Sequence, residues 1–141
     1  MVRPPPVQRG GTVIDSRDLS LCAARAAYGK KAEDIVVLDV RDLVSWCDFF
    51  VLCSVSNPRL AAAVSEAVIS ALKEAAGLRP LGVEGLERAR WVLLDFGTVV
   101  VHVFDDALRT FYDLEGLWID APRIALPEAG TDGEAVAPAS P

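Results

Sequence analysis

The sequence predicts an α/β (α+β) fold: a mixed β-sheet of about five strands with helices packed on it. Three observations lead there. Of the 141 residues 52% are apolar, enough for one real core. Strand-like runs lie on both sides of a single long helical run that opens at Asn57-Pro58 and stops at Gly77. The elements follow in the order α-β-β-α-β-β-β-α. Strands adjoining one long crossover helix imply a mixed sheet.

Residues 1–15 carry Pro4-Pro5-Pro6 and Gly10-Gly11 without apolar patterning, and a disordered N-terminal segment is expected. Ser16 or Asp18 is placed to cap a first helix to about Tyr28, with Leu21, Ala24 and Tyr28 as its apolar stripe and Gly29 at its stop. Ile35 to Val40 reads as a strand apolar on both faces, hence central. Arg41 to Trp46 is a connection, and Phe49 to Ser54 a second strand. Asn57 is a good N-cap and Pro58 fits the first helical position, where its missing N–H costs nothing. Leu60, Val64, Val68 and Leu72 then recur every fourth residue to about Ala76, with alanines beside them that let the helix lie close to a sheet. Leu81 to Val83 reads as a short edge strand. Trp91 to Phe96 and Thr98 to Phe104 read as a hairpin turning near Gly97. Asp105 or Asp106 caps a short last helix to about Leu114. Residues 16–120 thus form one domain, and 121–141, rich in Ala, Pro, Gly and acids, read as a flexible acidic tail.

Charge and cysteine usage narrow the function. A net charge of −6 and a pI near 4.7 argue against strong direct nucleic-acid binding, which needs a basic face. An acidic protein can instead seek a basic protein partner. Cys22, Cys47 and Cys53 are scattered and odd in number, without C-x-x-C spacing, so reduced thiols in a cytoplasmic protein are expected. No apolar run approaches the roughly 20 residues of a membrane span, and the N-terminus does not read as a signal peptide.

No residue set carries obvious chemistry. His102 is the only histidine. It alternates with Val100 and Phe104 on one strand face, with Asp95 across the hairpin as its one available acid. Catalysis would also require a reacting partner, and Ser54-Val55-Ser56-Asn57 lacks a nucleophile elbow. Asp39 with Asp42 and Asp105 with Asp106 would serve a two-metal site only if they converged. As caps and edge charges they need no such role. Ser54 to Arg59 opens a helix and reads as a capping turn before an anion site. No catalytic, metal or cofactor site is therefore expected. Trp91, Tyr112 and Trp118 are typical interface anchors when exposed. The segment from Asp105 to Asp120 adds five acids (Asp105, Asp106, Asp113, Glu115, Asp120) against one base, Arg109.

The ordered set of motifs resembles the ribosomal silencing factor (Iojap) family. It includes Asp34-Ile35-Val36-Val37-Leu38-Asp39-Val40, Asp48 opening a strand, Arg59 at a helix start and Gly77-Leu78-Arg79-Pro80. It continues with Val83-Glu84-Gly85, Trp91, Asp95, Val100-Val101-His102-Val103 and Arg109-x-x-Tyr112-x-Leu114-Glu115-x-Leu117-Trp118. The resemblance covers about Leu19 to Trp118. Val55-Ser56 and Leu60 depart from the family's usual residues.

The resemblance implies a nucleotidyltransferase-like sheet without catalytic residues. It also implies binding to the large ribosomal subunit through ribosomal protein fourteen. That binding blocks the small subunit and represses translation under nutrient limitation. Trp91 would then be an apolar anchor, and Asp95, Asp113 and Glu115 would meet basic residues. Arg109, Tyr112 and Trp118 would add contacts, and His102 would support the strand or touch the partner. The competing readings are a nucleotidyltransferase-like enzyme acting on nucleotide or RNA, and a homodimeric adaptor. Dimerisation is compatible with ribosome binding.

Overall fold

A computed structural model describes residues 7–9, 12–112, 121–124 and 126. Strands β1 (Val7–Arg9) and β2 (Thr12–Ile14) pair antiparallel. Part of the segment expected to lack structure is therefore a small hairpin. Helix α1 spans Ser16–Gly29. Its cap is Asp15, not Ser16 or Asp18: the Asp15 carboxylate accepts from the Asp18 N–H at 2.9 Å. Its buried stripe is Leu19, Ala23, Ala24 and Ala27, while Tyr28 is 58% exposed. Of the expected stripe, Leu21 and Ala24 are buried, and only Tyr28 at the helix end faces away.

The main sheet has five strands in the order β3-β4-β7-β6-β5. They are β3 (Glu33–Asp39), β4 (Phe49–Val55), β5 (Gly82–Glu84), β6 (Trp91–Asp95) and β7 (Val99–Asp105). Only β4 and β7 pair in parallel, so the sheet is mixed as expected. Helix α2 (Pro58–Ala76) carries the chain from β4 to the far edge. The meander β5-β6-β7 then fills the gap back to β4.

The capping of α2 follows from its sequence. Asn57 accepts from the Leu60 N–H at 2.8 Å, and Gly77 closes the helix in the left-handed conformation with φ 66°. Val64, Val68 and Leu72 are fully buried. Each such side chain contributes about 2 kcal/mol by leaving water.

Both long helices cover one face of the sheet, meeting Val37, Val51, Cys53, Val92, Leu94, Val101 and Val103. The opposite face carries a second cluster built on Leu38, Phe50, Leu52, Val100 and Phe104. Period-two alternation assigns each strand residue to one face or the other. The short helix α3 (Asp106–Tyr112) is tied to β4 on the side of this second cluster through Arg109 and Ser54.

The expected centre of the sheet is also overturned. The apolar strand β3 is at an edge, not central. Its outer rim is covered by chain that returns from beyond residue 120. The Asp39 N–H donates to the Pro122 carbonyl at 2.8 Å, and the Ile124 N–H to that of Val37 at 2.9 Å. Arg123 bridges Leu38, Ala121 is buried, and Ile124 and Leu126 pack on the core. The flexible tail expected from residue 121 therefore begins as a strap on the sheet. The true centre is β4 and β7; β4 is buried along its whole length.

Candidate functional site

The second sheet face holds Trp91, Asp95 and His102 of the residues singled out in the sequence. Along β6, Val92 and Leu94 are buried against the helices, while Trp91, Leu93 and Asp95 point to the other face and are half-buried. The cross-strand register sets their neighbours. Trp91 faces Phe104, Leu93 faces His102 and Asp95 faces Val100 on β7. On the outer side Glu84 of β5 pairs with Leu93 and is exposed. Trp91, Leu93, Asp95 and Glu84 therefore form a ledge, apolar with an acidic margin, near the β5 edge. Leu93 and Glu84 were not among the contact residues expected from the sequence. The alternation Trp91-Val92-Leu93-Leu94-Asp95 would have found Leu93, and the pairing that brings Glu84 beside it is a tertiary fact.

His102 lies inside this face, 8% exposed. Its Nδ1 accepts from the indole Nε1–H of Trp91 at 3.2 Å. An indole can only donate, so the proton of the neutral ring sits on Nε2. The imidazole stacks on Phe104 at 5.8 Å and meets Phe50 edge-on at 5.3 Å. Burial pushes its pKa down to about 4, since the cation would lose its hydration there. The expected acid contact is not made. Asp95 stands opposite Val100, and its Oδ1 accepts from the Gly97 N–H at 2.9 Å, fixing the hairpin turn where Gly97 has φ 89°. A general base needs an orienting acid and a pKa near the working pH, and among the described residues His102 shows neither.

Arg109 turns inward. It is 7% exposed, and its Nη1 donates to Ser54 Oγ at 2.9 Å, joining α3 to β4. This is a structural tie where a solvent-facing contact was expected. Tyr112 closes α3, with its side chain outside the described residues. Asp113, Glu115 and Trp118 lie outside them altogether.

The acidic pairs do not converge. Asp39 is level with Phe49 and Val99, whereas Asp105 lies six residues further along β7, about 20 Å away. Asp39 accepts from Arg41 at 2.7 and 2.9 Å, and Asp105 caps the first turn of α3 through the Ala107 N–H. Among the described residues no group of three or more His, Cys, Asp or Glu is arranged to hold a metal ion. No described helix is long and apolar enough to cross a membrane. Cys22, Cys47 and Cys53 form no disulfide with one another.

Comparison with known proteins agrees with this geometry. The family profile described as "Ribosomal silencing factor during starvation" matches residues 13–140. A protein of Halalkalibacterium halodurans named ribosomal silencing factor is 37% identical over 113 residues, covering 80% of this chain and 96% of that one. The chloroplastic protein Iojap of Zea mays is 34% identical over 132 residues, covering 88% of this chain and 54% of that one. A crystal structure of a Chromobacterium violaceum protein superposes with a TM-score of 0.72 at 37% identity, covering 74% of this chain and 87% of that one. One from Bacillus halodurans gives 0.69 at 36%, covering 79% and 100%. By sequence and by fold alike, the chain belongs to the ribosomal silencing factor family.

Proposed function

We propose that this protein represses translation as a steric block. It docks on the large ribosomal subunit through ribosomal protein fourteen and keeps the small subunit from joining when nutrients are short. The observation that carries the reading is the ledge on β6. Trp91 and Leu93 offer apolar surface, and Asp95 and Glu84 border it with negative charge. A basic protein surface with an apolar depression is the complement of such a patch.

Trp91 is the central anchor, and Asp95 and Glu84 are margin charges that steer the approach. His102 and Arg109 act from beneath. Tyr112, Asp113, Glu115 and Trp118 keep the contact roles that the family resemblance implies. The mechanism needs bulk and complementarity and no bond-breaking step, consistent with relatives named as silencing factors. A cytoplasmic location, on ribosomes, goes with this reading.

The test is co-sedimentation with purified large subunits, with and without small subunits. The protein should pellet with large subunits and lower the yield of complete ribosomes. If it stays in the supernatant at micromolar concentration, the proposal fails.

A further inference from the structure

An anchor works best when its side chain is already fixed before the partner arrives. Freezing a loose side chain at an interface weakens binding by about two- to tenfold. Trp91 sits at the start of β6, beyond the reach of the short edge strand β5, where a half-exposed tryptophan would ordinarily sample several orientations. Among the described residues, three contacts hold it.

Its indole tip donates to His102. Its ring packs at 5.0 Å and 42° on Phe104. Its backbone lies directly under Gly85, where an added Cβ would come within 2.1 Å of the Trp91 carbonyl oxygen. The turn from Gly85 to Arg90 is closed at both ends. The Ala89 N–H donates to Gly85 and the Asp105 N–H to Arg90. His102 itself is wedged between Phe50 and Phe104, so the acceptor has a fixed direction.

A core position at the centre of a sheet would be filled more favourably by Leu or Phe, because burying an imidazole costs hydration. What His102 adds over either is a hydrogen-bond acceptor, and the donor facing that acceptor is Trp91.

We propose that His102 is a positioning residue: it holds the Trp91 indole in one orientation, so that the anchor meets the partner preformed. This rests on the docking role of Trp91 proposed above. His102 stays a neutral acceptor at ordinary pH because burial disfavours its cation.

A double-mutant cycle tests it, with binding to purified large subunits as one readout and the indole N–H signal of Trp91 in nitrogen-15 NMR of the free protein as the other. His102→Leu removes the acceptor. Trp91→Phe removes the donor and keeps an aromatic ring. His102→Asn keeps an oxygen close to where Nδ1 was.

His102→Leu should weaken binding about three- to tenfold and shift the Trp91 indole signal. The same change in the Trp91→Phe background should cost nothing further, and His102→Asn should recover most of the loss. Should His102→Leu not fold, His102→Phe carries the same comparison. Equal weakening in both backgrounds overturns the positioning role. So does a His102→Leu protein that binds like the parent while Trp91→Ala is impaired. If Trp91→Ala itself binds like the parent, the docking reading falls, and the positioning role with it.

Discussion

Replacing Gly85 with alanine should destabilise the domain by about 2–3 kcal/mol, and the contributions can be worked out separately. Gly85 has φ +82°, a region that costs an L-residue about 1–2 kcal/mol. The new Cβ would stand 2.1 Å from the Trp91 carbonyl oxygen and 3.2 Å from its carbon. Both are backbone atoms of β6, which is locked by its pairing with β7. Something must therefore move by about 1 Å, at a cost of about 1–3 kcal/mol typical of overpacking. Loss of chain freedom in the unfolded state returns about 0.4–1 kcal/mol. For a domain of this size 1 kcal/mol corresponds to about 4 °C, so Tm should fall by about 8–12 °C in calorimetry or circular dichroism.

Gly82 provides the control. It lies in the adjoining strand β5, a Cβ there meets nothing within 4 Å, and its φ is not positive. Gly82→Ala should leave Tm unchanged within about 2 °C, since surface changes of this kind stay within about 0.5 kcal/mol. A Gly85→Ala protein that melts with the parent, or the two variants behaving alike, would refute the close-approach argument.

Three further outcomes are expected. Trp91→Ala should weaken binding to large subunits by about 30-fold or more, as for a central anchor worth about 2 kcal/mol, while far-ultraviolet circular dichroism stays unchanged; an unfolded variant would make Trp91 a core residue instead. His102 links stability to pH through a folded pKa near 4 against an ordinary value of 6.5. Its contribution is complete above pH 6.5, where both states hold a neutral ring. It is lost as pH falls towards 4, where only the unfolded chain has taken up the proton. The loss should amount to about 3 kcal/mol between pH 7 and 4, and urea titrations should find it missing in His102→Leu. Cys47 and Cys53 are buried, with pKa values pushed up to about 12 by desolvation, whereas Cys22 is half-buried. A thiol reagent at pH 8 should label Cys22 first and the other two only on unfolding, and rapid labelling of all three in the native state would contradict that burial.

Much of the fold was legible because its signals are local. Asn57-Pro58 and Gly77 mark the ends of α2 through backbone chemistry that no distant residue alters. The β6–β7 hairpin and its turn at Gly97 follow from alternation and one flexible residue. The misreadings have non-local causes. An apolar strand such as β3 looks central from its composition, yet it lies at an edge and can be apolar there because residues 122–124 cover it from 85 positions away along the chain (Leu38 to Arg123). In the site, Trp91 and His102 were each recognisable, but that they meet, and their hydrogen bond, come from strand register. Arg109 reads as a surface contact until Ser54, 55 residues earlier, takes its guanidinium inward. Asp95 reads as an acid for His102 until the register sets it opposite Val100.

The strap on β3 also bears on the time course of synthesis. Strand β4 acquires β3 almost at once, since the two are consecutive, but its other neighbour β7 arrives 50 residues later (Phe49 to Val99). The strap comes later still. At about 5–20 residues per second, the outer rim of β3 stays uncovered for roughly 4–17 seconds after Leu38 is made. An open apolar strand edge is a template for pairing with other chains. The last short stretch to dock thus ends the interval in which the nascent protein is most prone to aggregate.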